Sequence, residues 1–207
     1  RLEAMCETND GFRLAELDHE KYYSTFFQDA FLFSVDSVKI EKSGGKRMEE
    51  KLTMRMETLL DNAKALCFEE TDLICCLANL SALIMQSVPN INWAGFYLMK
   101  QGELILGPFQ GKPACTHIAL GQGVCGTAAQ KNTCLVVMDV HQFPGHIACD
   151  QTSRSEIVVP LVYQSEVVGV LDIDAPIPDR FKPADEAVLR ELGAWIGELF
   201  ALNPHEC

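Results

Sequence analysis

The sequence predicts an α+β domain in which amphipathic helices at both ends cover one face of an antiparallel sheet. Apolar residues recur at intervals of three and four from Met48 to Cys67 and again from about Thr71 to Ser87, which indicates two helices. The period then changes to two in Asn92–Lys100 and Glu103–Gly107, with a turn at Gln101–Gly102. Because a hairpin joins antiparallel strands, this pattern begins an antiparallel sheet.

The second half of the chain supplies more strands and a closing helix. Cys125–Gln130 is a short helix and Cys134–Met138 a strand, and a long loop covers Asp139–Ser155. Glu156–Tyr163 and Glu166–Asp174 form a second hairpin, and Pro183 begins the last helix. The terminal helices must bury their apolar stripes against one sheet face. We therefore expect a ligand pocket on the other face, under the long connections.

The chain has 207 residues, enough for one domain with a substantial core. Residues 1–47 show no clear period, and we expect them to form an N-terminal extension to a domain spanning residues 48–207.

Composition narrows the class of protein. The net charge of −12 argues against nucleic acid and acidic membranes, whose phosphates would be repelled. No apolar run approaches the roughly 18 residues of a membrane span, and no signal peptide is visible, so we expect a cytoplasmic protein. The spacing of the nine cysteines does not resemble a secreted disulfide scaffold, and the apolar content is enough for a core without disulfides. The cysteines include no CxxC pair, which disfavours zinc.

Three cysteines lie in predicted loops or at a helix start: Cys115, Cys125 and Cys149. A cysteine is usually a small buried hydrophobe, but three of them around one sheet face favour thiol chemistry. Exposed amides at the start of a helix would favour a thiolate at Cys125. The loop before Cys149, including Ile147 and Ala148, could turn its own amides toward a ligand.

Three carboxylates form a second group. Asp172 and Asp174 share a face of one predicted strand, and Glu156 opens the neighbouring strand. Carboxylates side by side repel each other unless one is protonated, paired or bound to metal. They are consistent with a solvated strand end, an acid that shares a proton, or a receiver for a substrate ammonium group. A divalent metal is less favoured, because no further hard ligands accompany them.

Trp93 and Tyr97 lie four residues apart on a predicted strand and therefore share a face. This pattern is typical of core aromatics, with a ligand wall as the alternative. The sequence contains no P-loop, GxGxxG, HExxH or GxSxG motif.

Six motifs in order resemble the free methionine-R-sulfoxide reductase family, a group of stand-alone GAF domains. They are INWAGFYLM, LILGPFQGKPAC, GQGVCGTAA, PGHIACD, SEIVVPL and GVLDIDAP, and the resemblance covers about residues 70–200. It implies thiol-dependent reduction of free L-methionine (R)-S-oxide, without metal or organic cofactor, through a cysteine sulfenic acid and an intramolecular disulfide. It also implies an external dithiol reductant, thioredoxin; a homodimer is one assembly open to such a protein.

The resemblance assigns roles to the residues already singled out. It implies Cys149 as the nucleophile and Cys115 as the resolving cysteine, with Cys125 as the alternative for either role. The other positions that match the family are carboxylates around the sulfoxide oxygen and residues that contact substrate, namely Glu156, Asp172, Asp174, Trp93, Tyr97, Ile147 and Ala148.

Two other classes of function stay open. A GAF domain can bind a small molecule without chemistry, although the three cysteines would then have no role. A redox switch would oxidise with peroxide alone, whereas an enzyme oxidises stoichiometrically with methionine sulfoxide.

Overall fold

The computed structural model describes Met56, residues 58–145 and residues 151–202, and these contain a six-stranded sheet in the order β3-β2-β1-β6-β5-β4. Every pair of neighbouring strands is antiparallel, which confirms the predicted α+β class. The strands are β1 Trp93–Lys100, β2 Glu103–Gln110, β3 His117–Ala119, β4 Leu135–Val137, β5 Ser155–Tyr163 and β6 Glu166–Ala175. The α-helices are α1 Leu59–Leu66, α2 Leu73–Ser87, α3 Gly123–Lys131 and α4 Pro183–Leu199. The predicted extension, residues 1–47, lies outside the described residues.

Helices α1, α2 and α4 form a layer on one sheet face. α2 packs on β1 and β2, α4 packs on β5, and α1 contacts both helices. Strand alternation turns buried side chains of β1, β5 and β6 toward this layer: Ala94, Phe96, Ile157, Val159, Leu161, Leu171 and Ile173. Of the helices in the described ranges, none combines the length and apolarity needed to cross a bilayer.

The opposite sheet face carries α3 and the long connections. Buried residues of α3, including Val124 and Ala128, belong to one apolar cluster with Tyr97, Val158 and Val170 of the sheet. The sheet therefore has a core on both faces, and the α3 side is the one that we expected to hold a pocket.

Three of the differences between the predicted elements and the structure affect the sheet or α3. Strand β3 was missed because three residues are too few to show a period. α3 begins at Gly123, two residues before the predicted start. β2 continues through Pro108 to Gln110, which is possible because β3 pairs with β2 only over Glu103–Ile105, so that no strand on that side needs the missing proline N–H.

The approach of α4 to β5 requires a glycine at position 197. A Cβ atom there would lie 2.3 Å from the carbonyl oxygen of Val162 and 2.9 Å from its nitrogen. These are backbone atoms of a paired strand, so they cannot move aside as a flexible side chain would. Gly193, one turn earlier, meets the side chain of Val159 instead.

We therefore expect Gly197→Ala to lower the free energy of unfolding by about 1–3 kcal/mol, the usual cost of overpacking. The gain of about 1 kcal/mol in helix propensity does not offset that clash. Urea unfolding followed by circular dichroism measures the change. Glu198→Ala, on the exposed side of the same turn, serves as the control and should shift stability by no more than about 0.5 kcal/mol. A Gly197→Ala protein as stable as the wild type would contradict this packing.

Candidate active site

A cleft of about 540 Å³, including its open mouth, lies between the sheet and α3. It is bounded by sheet residues, by the start of α3, and by the connection that follows β2. The lining residues are Trp93, Tyr97, Lys112, Pro113, Ala114, Ile118, Gln122, Gly123, Val124, Cys125, Ser153, Glu156, Asp172 and Asp174.

Strand register brings the three predicted carboxylates into this cleft. Glu156 of β5 pairs with Asp174 of β6, and Val158 pairs with Asp172. Period-two alternation then turns all three carboxylates to the face that carries α3, as the sequence pattern predicted. Glu156 and Asp172 are each only 6% exposed, and Asp174 is half-buried nearer the strand end.

The Cys125 thiol completes a compact acidic cluster. Its Sγ lies 3.8 Å from Glu156 Oε1 and donates to it, and one ligand atom from each of Cys125, Glu156 and Asp172 lies within 4.8 Å of the others. Asp172 Oδ1 is buried and has no hydrogen-bond partner among the described residues. The cluster therefore presents at least one buried oxygen whose polar partner would have to come from outside the described residues.

Burial controls the protonation of the two carboxyls. Desolvation, followed by repulsion from Asp172 and Asp174, raises the pKa of Glu156 well above its ordinary value. Desolvation also raises the pKa of Asp172, to about 6, although hydrogen bonds with Cys125 and Glu156 oppose the rise. Two carboxyls this close titrate as a pair, so the pair holds a proton up to a higher pH than free carboxyls do.

The same environment keeps Cys125 as a thiol. Desolvation raises its pKa well above the ordinary value of 9.0, and repulsion from Asp172 and Glu156 adds to the effect. The expectation that a helix start would favour a thiolate here is therefore wrong. The dipole of a nine-residue helix does not offset full burial beside two acidic groups.

Trp93 and Tyr97 form one wall of the cleft and also hold the segment that carries Cys115. Trp93 Nε1 donates to the Lys112 carbonyl at 3.1 Å, and the Tyr97 hydroxyl donates to the Cys115 carbonyl at 3.1 Å. The rings stack 6.0 Å apart, and Trp93 also stacks on Phe109 at 5.3 Å. The two aromatics are thus both core and pocket wall, so neither sequence alternative excludes the other.

Gly95 makes room for this stack. A Cβ atom at position 95 would lie 2.3 Å from Phe109 Cβ and 2.8 Å from the Trp93 ring. Because Gly95 pairs with Asp172 on β6, the strand position beside the buried carboxylate carries no side chain.

The three predicted cysteines differ in what the structure shows of them. Cys125 lines the cleft, and the half-buried Cys115 follows the lining residues Pro113 and Ala114. Cys149, with Ile147 and Ala148, lies outside the described residues. The described chain resumes after that gap at Gln151, and Ser153 lies on the cleft, where Asn92 Nδ2 donates to its hydroxyl at 3.0 Å.

Sequence reasoning missed most of the cleft wall that comes from connections. These residues have no period and bear no catalytic group in a recognisable spacing; a lysine or glutamine in a loop is ordinarily solvated. They are Lys112, Pro113, Ala114, Gln122 and Ser153. The KPAC and GQGVCG motifs contain all of them except Ser153, but the motifs assigned a role only to their cysteines.

Comparisons with known proteins agree with this fold and site. The GAF domain profile matches residues 56–199. The free methionine-R-sulfoxide reductase of Escherichia coli strain K12 is 49% identical over 142 residues, which cover 69% of this chain and 86% of that protein. The enzyme of the same name from Saccharomyces cerevisiae is 42% identical over 151 residues, covering 69% and 84%.

Solved structures extend the comparison to three dimensions. The fRMsr of Staphylococcus aureus, in complex with substrate, is 51% identical, with a TM-score of 0.67 over 70% of this chain and 94% of that one. The free methionine-R-sulfoxide reductase of Neisseria meningitidis, in complex with its substrate, is 38% identical, with a TM-score of 0.71 over 75% and 93%. The chain belongs to the GAF-domain family and, within it, to the free methionine-R-sulfoxide reductases.

Proposed function

We propose that this protein reduces free L-methionine (R)-S-oxide to L-methionine. The observation that carries the proposal is the buried Glu156–Asp172 pair, which faces a small cleft beside a thiol. Family membership supplies the reaction, because relatives of this identity are named for it and two related structures hold their substrate.

The carboxyl pair supplies the acid that the reaction needs. A sulfoxide oxygen becomes a good acceptor of protons as its bond to sulfur weakens, and a neutral carboxyl can donate to it. Burial and mutual repulsion keep such a proton on Glu156 and Asp172 at neutral pH. We propose that Asp174, half-buried at the strand end, receives the substrate ammonium group.

Cys149 is our proposed nucleophile. The Cys125 thiol, whose pKa burial raises well above 9.0, is poorly suited to attack sulfur as a thiolate. Cys149 precedes the cleft residue Ser153 by four positions, so about 14 Å of extended chain at most separates the two. Support for Cys149 therefore comes from the PGHIACD motif, from this tether and from the unsuitability of Cys125.

The thiol chemistry balances without a cofactor. Attack of Cys149 Sγ on the sulfoxide sulfur transfers oxygen to cysteine, giving methionine and a sulfenic acid. The Cys115 thiol then displaces that oxygen as water and forms a disulfide. An external dithiol, which we propose to be thioredoxin, reduces the disulfide by exchange. Such a cycle suits a reducing compartment such as the cytoplasm.

The cleft also explains a preference for the free amino acid. Trp93 and Tyr97 offer an apolar wall for the substrate methyl group, and the backbone of Ile147 and Ala148 is our proposed partner for its carboxylate. Groups that contact both the ammonium and the carboxylate would exclude a methionine within a polypeptide, because neither group is free there.

Release of methionine from the free R epimer tests the proposed function. We expect multiple turnovers with dithiothreitol, at least about a hundredfold faster than with the S epimer or a peptide-embedded sulfoxide, because a site that contacts polar substrate groups rejects analogues lacking them. Folded, reduced protein that turns over none of the three substrates would overturn the proposal and leave a ligand-binding GAF domain.

Cysteine variants separate attack from recycling. Without reductant, Cys149→Ser should form no methionine above the uncatalysed rate, because a hydroxyl is a poor nucleophile toward sulfur. Cys115→Ser should form one methionine per subunit and then fail to turn over with thioredoxin. Cys134→Ser removes a half-buried cysteine remote from the cleft and should behave as the wild type. A normal single-turnover rate in Cys149→Ser would instead identify Cys125 as the nucleophile.

A further inference from the structure

The side chains of Cys125, Glu156 and Asp172, which form the acidic cluster, are also of the types that bind metal ions. Its three ligand atoms come from α3, β5 and β6 and lie within 4.8 Å of one another. All three residues are buried on the floor of the cleft. The sequence pattern disfavoured a metal here, because no CxxC pair and no further hard ligands lie near the carboxylates in the sequence. The fold instead assembles the three ligand atoms from distant elements.

The donor set favours a borderline-soft dication. Zinc takes thiolate sulfur at about 2.3 Å and carboxylate oxygen at about 2.0–2.2 Å in tetrahedral geometry, so a sulfur and an oxygen on one zinc lie roughly 3.6 Å apart. Cys125 Sγ and Glu156 Oε1 are already 3.8 Å apart. Calcium takes six or more oxygen ligands and magnesium an octahedral oxygen shell, and neither favours the thiolate.

Asp172 provides a second, independent indication of a cation site. Its side chain is 94% buried, given an exposure of 6%, and it faces the cleft. Its Oδ1 has no hydrogen-bond partner in the described part of the chain. A buried oxygen without a partner is costly, and a bound cation would relieve that cost.

The charge of the three side chains also favours a bound cation. Fully ionised, the three side chains carry three negative charges in a buried space, and their mutual repulsion keeps protons on them. A dication would displace those protons and leave a single net negative charge.

We propose that the reduced protein binds one zinc-like divalent cation through Cys125 Sγ and a carboxylate oxygen from each of Glu156 and Asp172, as an inhibitory site in the substrate cleft. The fourth coordination position faces the cleft and is open to water. The inhibitory role rests on the proposed function: the ion would occupy the carboxylates needed to protonate the sulfoxide. The binding itself does not depend on turnover.

Cobalt(II) titration of the full, reduced chain tests the site, because cobalt reports its ligands by absorption. The wild type should bind one Co²⁺ with a thiolate-to-cobalt charge-transfer band, and one equivalent of Zn²⁺ should remove that band. Cys125→Ser should lose the band, and Asp172→Asn should weaken binding at least about tenfold. Cys134→Ser, outside the cleft, should keep both the band and the affinity, and circular dichroism confirms that each variant is folded.

Loss of the band in Cys134→Ser but not in Cys125→Ser, or absence of stoichiometric binding by the wild type, would overturn the metal site. Saturating free methionine should raise the apparent Kd for Co²⁺ by competition, and by more than the same concentration of free alanine, which chelates the ion in solution but lacks the thioether side chain. A protein that binds Co²⁺ through Cys125 but reduces no sulfoxide would keep the metal site while the proposed function fails. A protein that reduces sulfoxide but binds no Co²⁺ would keep the proposed function while the metal site fails.

Discussion

Three acidic groups buried within 4.8 Å of one another impose the constraint on which this site depends. Their ionised forms repel one another and lose hydration, so the cluster is tolerated only while it holds protons or a cation. For a carboxyl whose pKa is raised by folding, the stabilising contribution is complete below the unfolded pKa. It is lost as the pH rises through the folded pKa, which for Asp172 is about 6. The buried pair therefore lowers the free energy of unfolding at neutral pH, but it also retains a protonated carboxyl there.

The rest of the fold holds that arrangement in place. Antiparallel pairing of β5 with β6 fixes Glu156 and Asp172 on one face, and a one-residue slip would turn both toward the helix layer. The close packing of α4 on β5 at Gly197 holds β5 in position from the face that carries the helix layer. On the cleft side, Trp93 and Tyr97 fasten the Cys115 segment through backbone carbonyls. Acid, thiols and cleft wall thus depend on a single sheet register.

The sequence was sufficient for the two hairpins of the sheet and for the carboxylates because both obey periods, whereas the three-residue strand β3 was missed. Alternation over Glu156–Tyr163 and Glu166–Asp174 predicted the hairpin, and the same alternation placed Asp172 and Asp174 on one face. The sequence could not predict that the Cys125 thiol stays protonated, because its burial beside Glu156 depends on how α3 crosses the sheet. The aperiodic cleft wall likewise depends on tertiary packing, and the role of Cys149 stays a prediction from its motif.

Infrared spectroscopy of the carboxyl groups tests the central claim most directly, because a protonated carboxyl and a carboxylate absorb at different frequencies. The reduced wild type should show the carbonyl stretch of a buried, protonated carboxyl at neutral pH, and that band should diminish as the pH rises. Glu156→Gln should remove it at neutral pH, whereas Glu166→Gln, at an exposed strand start, should not. If the wild type shows no protonated carboxyl at neutral pH, the cleft holds no acid for the sulfoxide oxygen and the account is contradicted.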